Sequence, residues 1–297
     1  MLRKGGKLES KSLGYLMILP ALFLMLLIQI YPLFTGISYS FQNYQLNRPK
    51  ERGFIGFKNF IEILTSDEKF YSVLLFTFLN AFFVVLFSYV AGLVLALLLN
   101  RNIFGRGIFR AVVLLPWIIS NSVSATNWTW LLNDQMGFIN TSLKALGLID
   151  QSILFLADMT LAKMTVIVVG AWKSTPFMMI VLLAGLQGIP KELYESASID
   201  GAGFWKSLRH ITLPSIRSVT TMCTTLMFIW TFNNFETIYL LTAGGPNEAT
   251  FVLPIHIYYT SFYRSKIGYG SAIAVIVLII MMIAALIRFR LQRAATD

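Results

Sequence analysis

Six stretches of this chain run for about twenty residues or more almost without charge, at residues 13–41, 73–99, 108–132, 159–186, 213–241 and 269–287. An α-helix rises about 1.5 Å per residue, so roughly 20 apolar residues cover the roughly 30 Å of hydrocarbon in a bilayer. Lipid offers no partners to backbone N–H and C=O groups, so an apolar run of that length is stable there as a helix. The fold expected is therefore an all-α membrane protein with about six transmembrane helices. Composition agrees: 56% of residues are hydrophobic and only 13% charged, against roughly 25% charged in soluble domains, and the mean hydropathy is +0.69. A water-soluble fold of this size could not bury so much apolar surface.

Pro32 and Pro176 interrupt the first and fourth stretches, as membrane helices tolerate when neighbours satisfy the freed carbonyls. The first stretch follows Arg3, Lys4, Lys7 and Lys11, as a secretory signal would, but it is too long for a signal core and no small-residue cleavage site follows it. It reads as a retained helix after a short tail, residues 1–12. A short amphipathic element is expected at 54–64. Basic residues accumulate on one set of loops, with Arg101, Arg106, Arg110, Lys191, Lys206 and Arg209 joining the N-terminal cluster and Arg288, Arg290 and Arg293 at the other end. Acidic residues such as Glu51, Asp67, Asp134 and Glu248 gather on the opposite loops. The positive-inside rule then puts both termini in the cytoplasm. The same rule accounts for the formal net charge of +10, and no basic stripe with interleaved aromatics suggests a nucleic-acid partner. Cys223, the only cysteine, falls within an expected span and can form no disulfide within the chain.

The loop between the fourth and fifth stretches, residues 189–214, has helix grammar of its own. Pro190 suits a first turn, Glu192 and Glu195 complement its positive end, and Gly201 and Gly203 break it before a second helical piece from about Phe204. Two short helices meeting at a glycine make a knob able to enter a partner's groove. Glu195, Ser196 and Ala197, then Gly201, then Ile211, Leu213 and Pro214 resemble the EAA loop of binding-protein-dependent ABC importer permeases, with Ser196 in place of the usual first alanine. The resemblance extends over nearly the whole chain and is closest to the carbohydrate branch, that of the maltose permease. The run from Leu240 to Pro246 resembles that branch's LTxGGP motif, and the segments at 172–176 and 232–235 are also similar to it.

The resemblance implies the type I ABC importer permease fold as one transmembrane domain over 13–297, with core spans at about 73–287. It implies partners as well: a second homologous permease subunit, two ATP-binding subunits, and an extracellular sugar-binding protein meeting the outer loops around 47–67 and 244–265. It also implies residence in a bacterial or archaeal inner membrane. The knob would carry ATPase closure into the membrane helices, with Glu195 and Asp200 in electrostatic contact, Gly201 at the bend, and Ala197, Ile199 and Leu208 as apolar anchors. Carried over by local motif, the positions for a sugar or oligosaccharide become Lys173, Ser174, Phe177, Trp230, Thr231 and Asn234. These are the residue types a sugar needs, since rings stack on its C–H faces while amides and hydroxyls bond its hydroxyls.

Charge at membrane depth is expensive and usually functional or paired. Lys163 is near a helix end, where snorkelling explains it. Lys173 and Glu236 are deeper, and either pair with each other or read an acidic sugar. They also leave open an ion-coupled carrier or a membrane-embedded enzyme, though the sequence displays neither an inverted repeat nor paired broken helices. There is no phosphate-binding loop, and His210 and His256 form no metal-binding pattern. ATP chemistry is therefore expected on other chains, with no cofactor and no catalytic residue here.

Overall fold

A computed structural model describes residues 6–101 and 104–293; Arg3 and Lys4 lie outside them. Among these residues the chain is all-helical, apart from one isolated antiparallel bridge between Gln42 and Phe54. It divides into two compact units, a central one at Lys69–Ile255 and one formed by the flanks, Met1–Glu68 with His256–Asp297.

In the flanking unit, α1 (Gly6–Met25), a π-helical turn at Leu26–Ile30 and α2 (Tyr31–Ser40) run on as one helix, whose stretch Gly14–Ser40 is long and apolar enough to span. Pro32 does not break it. A proline lacks an N–H and crowds the carbonyl four residues earlier, and the wider π turn just before it relieves that crowding. The amphipathic element appears as α3 (Lys58–Ser66), a turn later than expected. Its buried Asn59 donates to the carbonyls of Ser40 and Gln42 at 2.9 and 3.1 Å, satisfying groups that the end of α2 leaves open.

The central unit is carried by α4 (Glu68–Leu99), followed by α5 (Arg106–Ile118), α6 (Asn121–Leu131) and the short α7 (Phe138–Ala145). Next comes α8 (Met159–Gln187), which runs unbroken through Pro176 and starts from Asp158, whose carboxylate accepts from the N–H groups of Thr160 and Leu161. Two short helices follow, α9 (Lys191–Ile199) and α10 (Phe204–Ser207). A π-helical turn at Leu208–Thr212 and the three-residue α11 (Leu213–Ser215) lead into α12 (Arg217–Phe232) and α13 (Glu236–Thr242). α14 (Leu253–Tyr258) follows, and the flanking unit resumes with a further π turn at Tyr259–Tyr263 and α15 (Ile267–Arg293).

The core of the central unit lies where α4, α8 and α12 meet, with Ala96, Met178, Met179, Leu182, Ile216, Cys223 and Met227 buried together. Small residues let the helices approach closely, as is common between helices in lipid. A side chain on Gly92 would bring its Cβ to 2.7 Å from the Cβ of Met178 and 3.0 Å from the backbone nitrogen of Met179.

Two expected spans are not straight helices. Four helices among the described residues are long and apolar enough to cross a bilayer, and a fifth span exists only if a bent pair counts as one. That pair is α5 and α6, which turn by 96° within the stretch expected at 108–132. The stretch expected at 213–241 is divided between α12 and α13 by a break at Asn233–Phe235. Each break is made by a cap. Ser120 takes an extended backbone and its hydroxyl accepts from the N–H of Val123 at 3.3 Å, while Asn234 Oδ1 accepts from the N–H of Thr237 at 3.2 Å.

Candidate functional site

The two breaks face one cavity of about 670 Å³ in the central unit. α4 contributes Asn80 and Val84, the α5–α6 elbow contributes 117–121, α8 contributes Gly170, Lys173 and Ser174, and the α12–α13 region contributes Trp230, Thr231 and the break itself through Glu236. Of the residues carried over by motif, Lys173, Ser174, Trp230, Thr231 and Asn234 line this space. Phe177 stands behind the wall, its ring 5.1 Å from that of Trp230 and 6.3 Å from that of Trp117, and so supports the aromatic face.

Lys173 and Glu236 do not form the ion pair considered above. Lys173 Nζ donates to the carbonyls of Pro116 (3.1 Å) and Ile119 (2.7 Å) and to Ser124 Oγ (3.3 Å). An ammonium has three protons, and all three are taken. The carbonyls sit at the end of α5, where a helix leaves acceptors open and its dipole favours a cation. Lys173 therefore fastens both arms of the elbow. Glu236, in the first turn of α13, accepts from Asn121 Nδ2 at 2.7 Å and Ser122 Oγ at 3.3 Å in the first turn of α6. Asn234 has a local task besides lining the cavity, since its amide bonds both the N–H and the hydroxyl of Thr237 and caps α13. Lys163 lies at the start of α8, with its ammonium 5.4 Å from the centre of the Phe76 ring.

Sequence reasoning missed Asn80, Trp117 and Asn121 as cavity residues. Asn80 carried a usable signal, as a lone amide in an otherwise apolar span; it is 2% exposed and its Oδ1 has no hydrogen-bond partner. The elbow carried a fainter one, Pro116 followed by Ser120. Paired broken helices, which the reading of the sequence did not find, are present here.

The segment between α8 and α12 has the two short helices expected of it. α9 ends in a Schellman motif: Gly201 takes a left-handed φ of +75°, its N–H reaches Ser198 O at 3.1 Å, and the N–H of Ala202 reaches Ala197 O at 2.8 Å. Glu195 and Asp200 are exposed, while Ala197 and Leu208 are half-buried. Ile199 is 87% and Trp205 77% exposed, and Leu193 and Phe204 on the same two helices are exposed as well. Tyr194 bonds Thr212 through their hydroxyls at 3.0 Å, tying α9 to the π turn before α12.

Comparison with known proteins converges on one family. The model for the binding-protein-dependent transport system inner membrane component matches residues 88–296. The trehalose/maltose transport system permease protein MalF of Thermococcus litoralis is 33% identical over 98% of this chain and 97% of its own length. The crystal structure of a bacterial ABC transporter involved in the import of the acidic polysaccharide alginate superposes with a TM-score of 0.85 at 25% identity, over 98% of this chain and 99% of that one. A second structure, of the bacterial alginate ABC transporter in complex with an alginate pentasaccharide-bound periplasmic protein, gives a TM-score of 0.83 at 25% identity over 100% of this chain and 99% of that one. These relatives are transport components and not enzymes, and the chain is a permease that belongs to the binding-protein-dependent transport system inner membrane component family.

Proposed function

We propose that the chain is one transmembrane half of an ATP-driven importer of a sugar or oligosaccharide, and that the cavity between its two broken helices is its share of the cargo path. The observation that carries this reading is the lining itself: the Trp230 and Trp117 rings stand beside the amides and hydroxyls of Asn80, Ser174, Thr231 and Asn233. Pyranose rings present apolar C–H faces and directional hydroxyls, so they are met by such a mixture. The names of the relatives, trehalose/maltose and alginate transporters, support sugar as the cargo class.

The α9–α10 knob is the dock for an ATP-binding subunit. Its support is the pairing of exposed Ile199 and Trp205 with the carboxylates of Glu195 and Asp200. An apolar centre with a charged rim is the usual anatomy of a transient interface. ATP closure moves the membrane helices only if the two states grip the knob differently, and the Tyr194–Thr212 bond gives the knob a handle on α12. Alternating access, a second permease, two ATPase subunits, an external binding protein and cytoplasmic termini complete the reading. Capture of the tagged chain from native membranes in mild detergent, with mass spectrometry of its companions, tests it. An ATPase, a second permease and a binding protein are expected; recovery of the chain alone across several gentle detergents contradicts it.

A further inference from the structure

Which hydrogen-bonding groups cargo meets in this cavity is decided by how its two ionic side chains are already occupied. Lys173 has no donor left, because two carbonyls and a hydroxyl take its three protons. Glu236 has acceptor capacity left. A carboxylate offers about four lone-pair positions, and the two bonds from Asn121 and Ser122 leave the rest facing the cavity. Both partners of Glu236 are neutral, and among the described residues it forms no ion pair. Asn80, on α4, adds a buried amide whose Oδ1 has no hydrogen-bond partner and can accept from a hydroxyl.

From this asymmetry we infer that the cavity selects cargo without negative charge, a neutral or amino sugar, and that Glu236 sets this selectivity by accepting the cargo's hydroxyl or ammonium protons. A uronate in the same place would bring its carboxylate beside that of Glu236, and could gain hydrogen bonds from Lys173 only by unfastening the elbow. Like charges placed together are the standard means of rejecting a wrong partner of the right shape. The inference rests on the reading of the cavity as a sugar path, and it makes Glu236 a specificity residue absent from the set obtained by motif.

The test uses the complete transporter complex purified in nanodiscs. Equilibrium binding is measured for a panel of neutral disaccharides that includes maltose and trehalose, for a glucosamine-containing disaccharide, and for a glucuronate-containing one of the same size. Neutral and amino sugars are expected to bind at least tenfold tighter than the glucuronate. Glu236→Gln, which keeps an acceptor for Asn121 but loses the charge, is expected to weaken neutral-sugar binding and to tighten glucuronate binding, so that the ratio between them shrinks about tenfold. Glucuronate binding as tight as neutral sugar in the unaltered complex overturns the inference and leaves the sugar path standing, and that comparison needs no variant to fold. A ratio that Glu236→Gln leaves unmoved, in a complex shown intact by gel filtration, also overturns it. Failure of every sugar in the panel to bind overturns the sugar path itself.

Discussion

Lys173→Met removes the fastening of the elbow and keeps a stem of similar length. The ammonium makes three hydrogen bonds, at 3.1, 2.7 and 3.3 Å, to the end of α5 and to Ser124 in α6. Bonds to a charged group are worth roughly 1.5–3 kcal/mol each, and the two short ones account for about 3–6 kcal/mol. Water in the cavity can replace part of this at the carbonyls, and losing an ammonium from membrane depth recovers some desolvation cost. A net loss of about 2–3 kcal/mol remains. At roughly 2–4 °C per kcal/mol for chains approaching this size, the midpoint of thermal inactivation should fall by about 4–12 °C. The assay heats the detergent-solubilised complex and follows its gel-filtration peak. Lys173→Arg, which keeps the charge and the donors, should lose less than half as much. A Lys173→Met midpoint within 1 °C of the unaltered protein would refute the assignment of Lys173 as the strut of the bend.

Gly201→Pro removes the left-handed residue at +75° that closes α9 and the N–H that bonds Ser198; ATP hydrolysis by the complex should persist while uptake in vesicles falls at least tenfold. Gly92→Leu drives a side chain against Met178 Cβ and the Met179 backbone nitrogen, where contacts of 2.7 and 3.0 Å leave no room even for a methyl group; overpacking of about 1–3 kcal/mol should lower the thermal midpoint, as read by the same gel-filtration assay. Ser120→Ala removes the cap of α6 and should cost about 1 kcal/mol, seen as faster proteolysis around the elbow without loss of assembly.

How much of this was legible in the sequence differs by element, for physical reasons. α4 and α8 are predominantly apolar over lengths that a bilayer needs, so hydropathy alone locates them to within a few residues at most boundaries. The short helices α9 and α10 were legible from Pro190, Gly201 and Gly203, because capping and left-handed turns depend on residue type and not on distant contacts. The elbow was only faintly legible, because 108–132 carries a single charge, as a straight span can, and besides the Ser120 cap its bend is held by tertiary bonds from Lys173 and Glu236. The Asn233–Asn234 pair was read for its amides and not for its capping, which hid the break before α13. Lys173 and Glu236 were noticed as costly charges, but their partners come from α5 and α6. Nothing in one sequence announces which backbone carbonyls a lysine will meet.

The central claim is that this chain passes a sugar across the membrane under the control of ATP hydrolysed elsewhere. The most direct measurement reconstitutes the purified complex in liposomes with its external binding protein and a labelled neutral sugar, and follows uptake with ATP on the ATPase side. Accumulation against a gradient that needs ATP and the binding protein, and that is lost with Trp230→Ala while the complex stays assembled, is the expected result. Uptake that proceeds without ATP and follows an imposed proton or sodium gradient would contradict it.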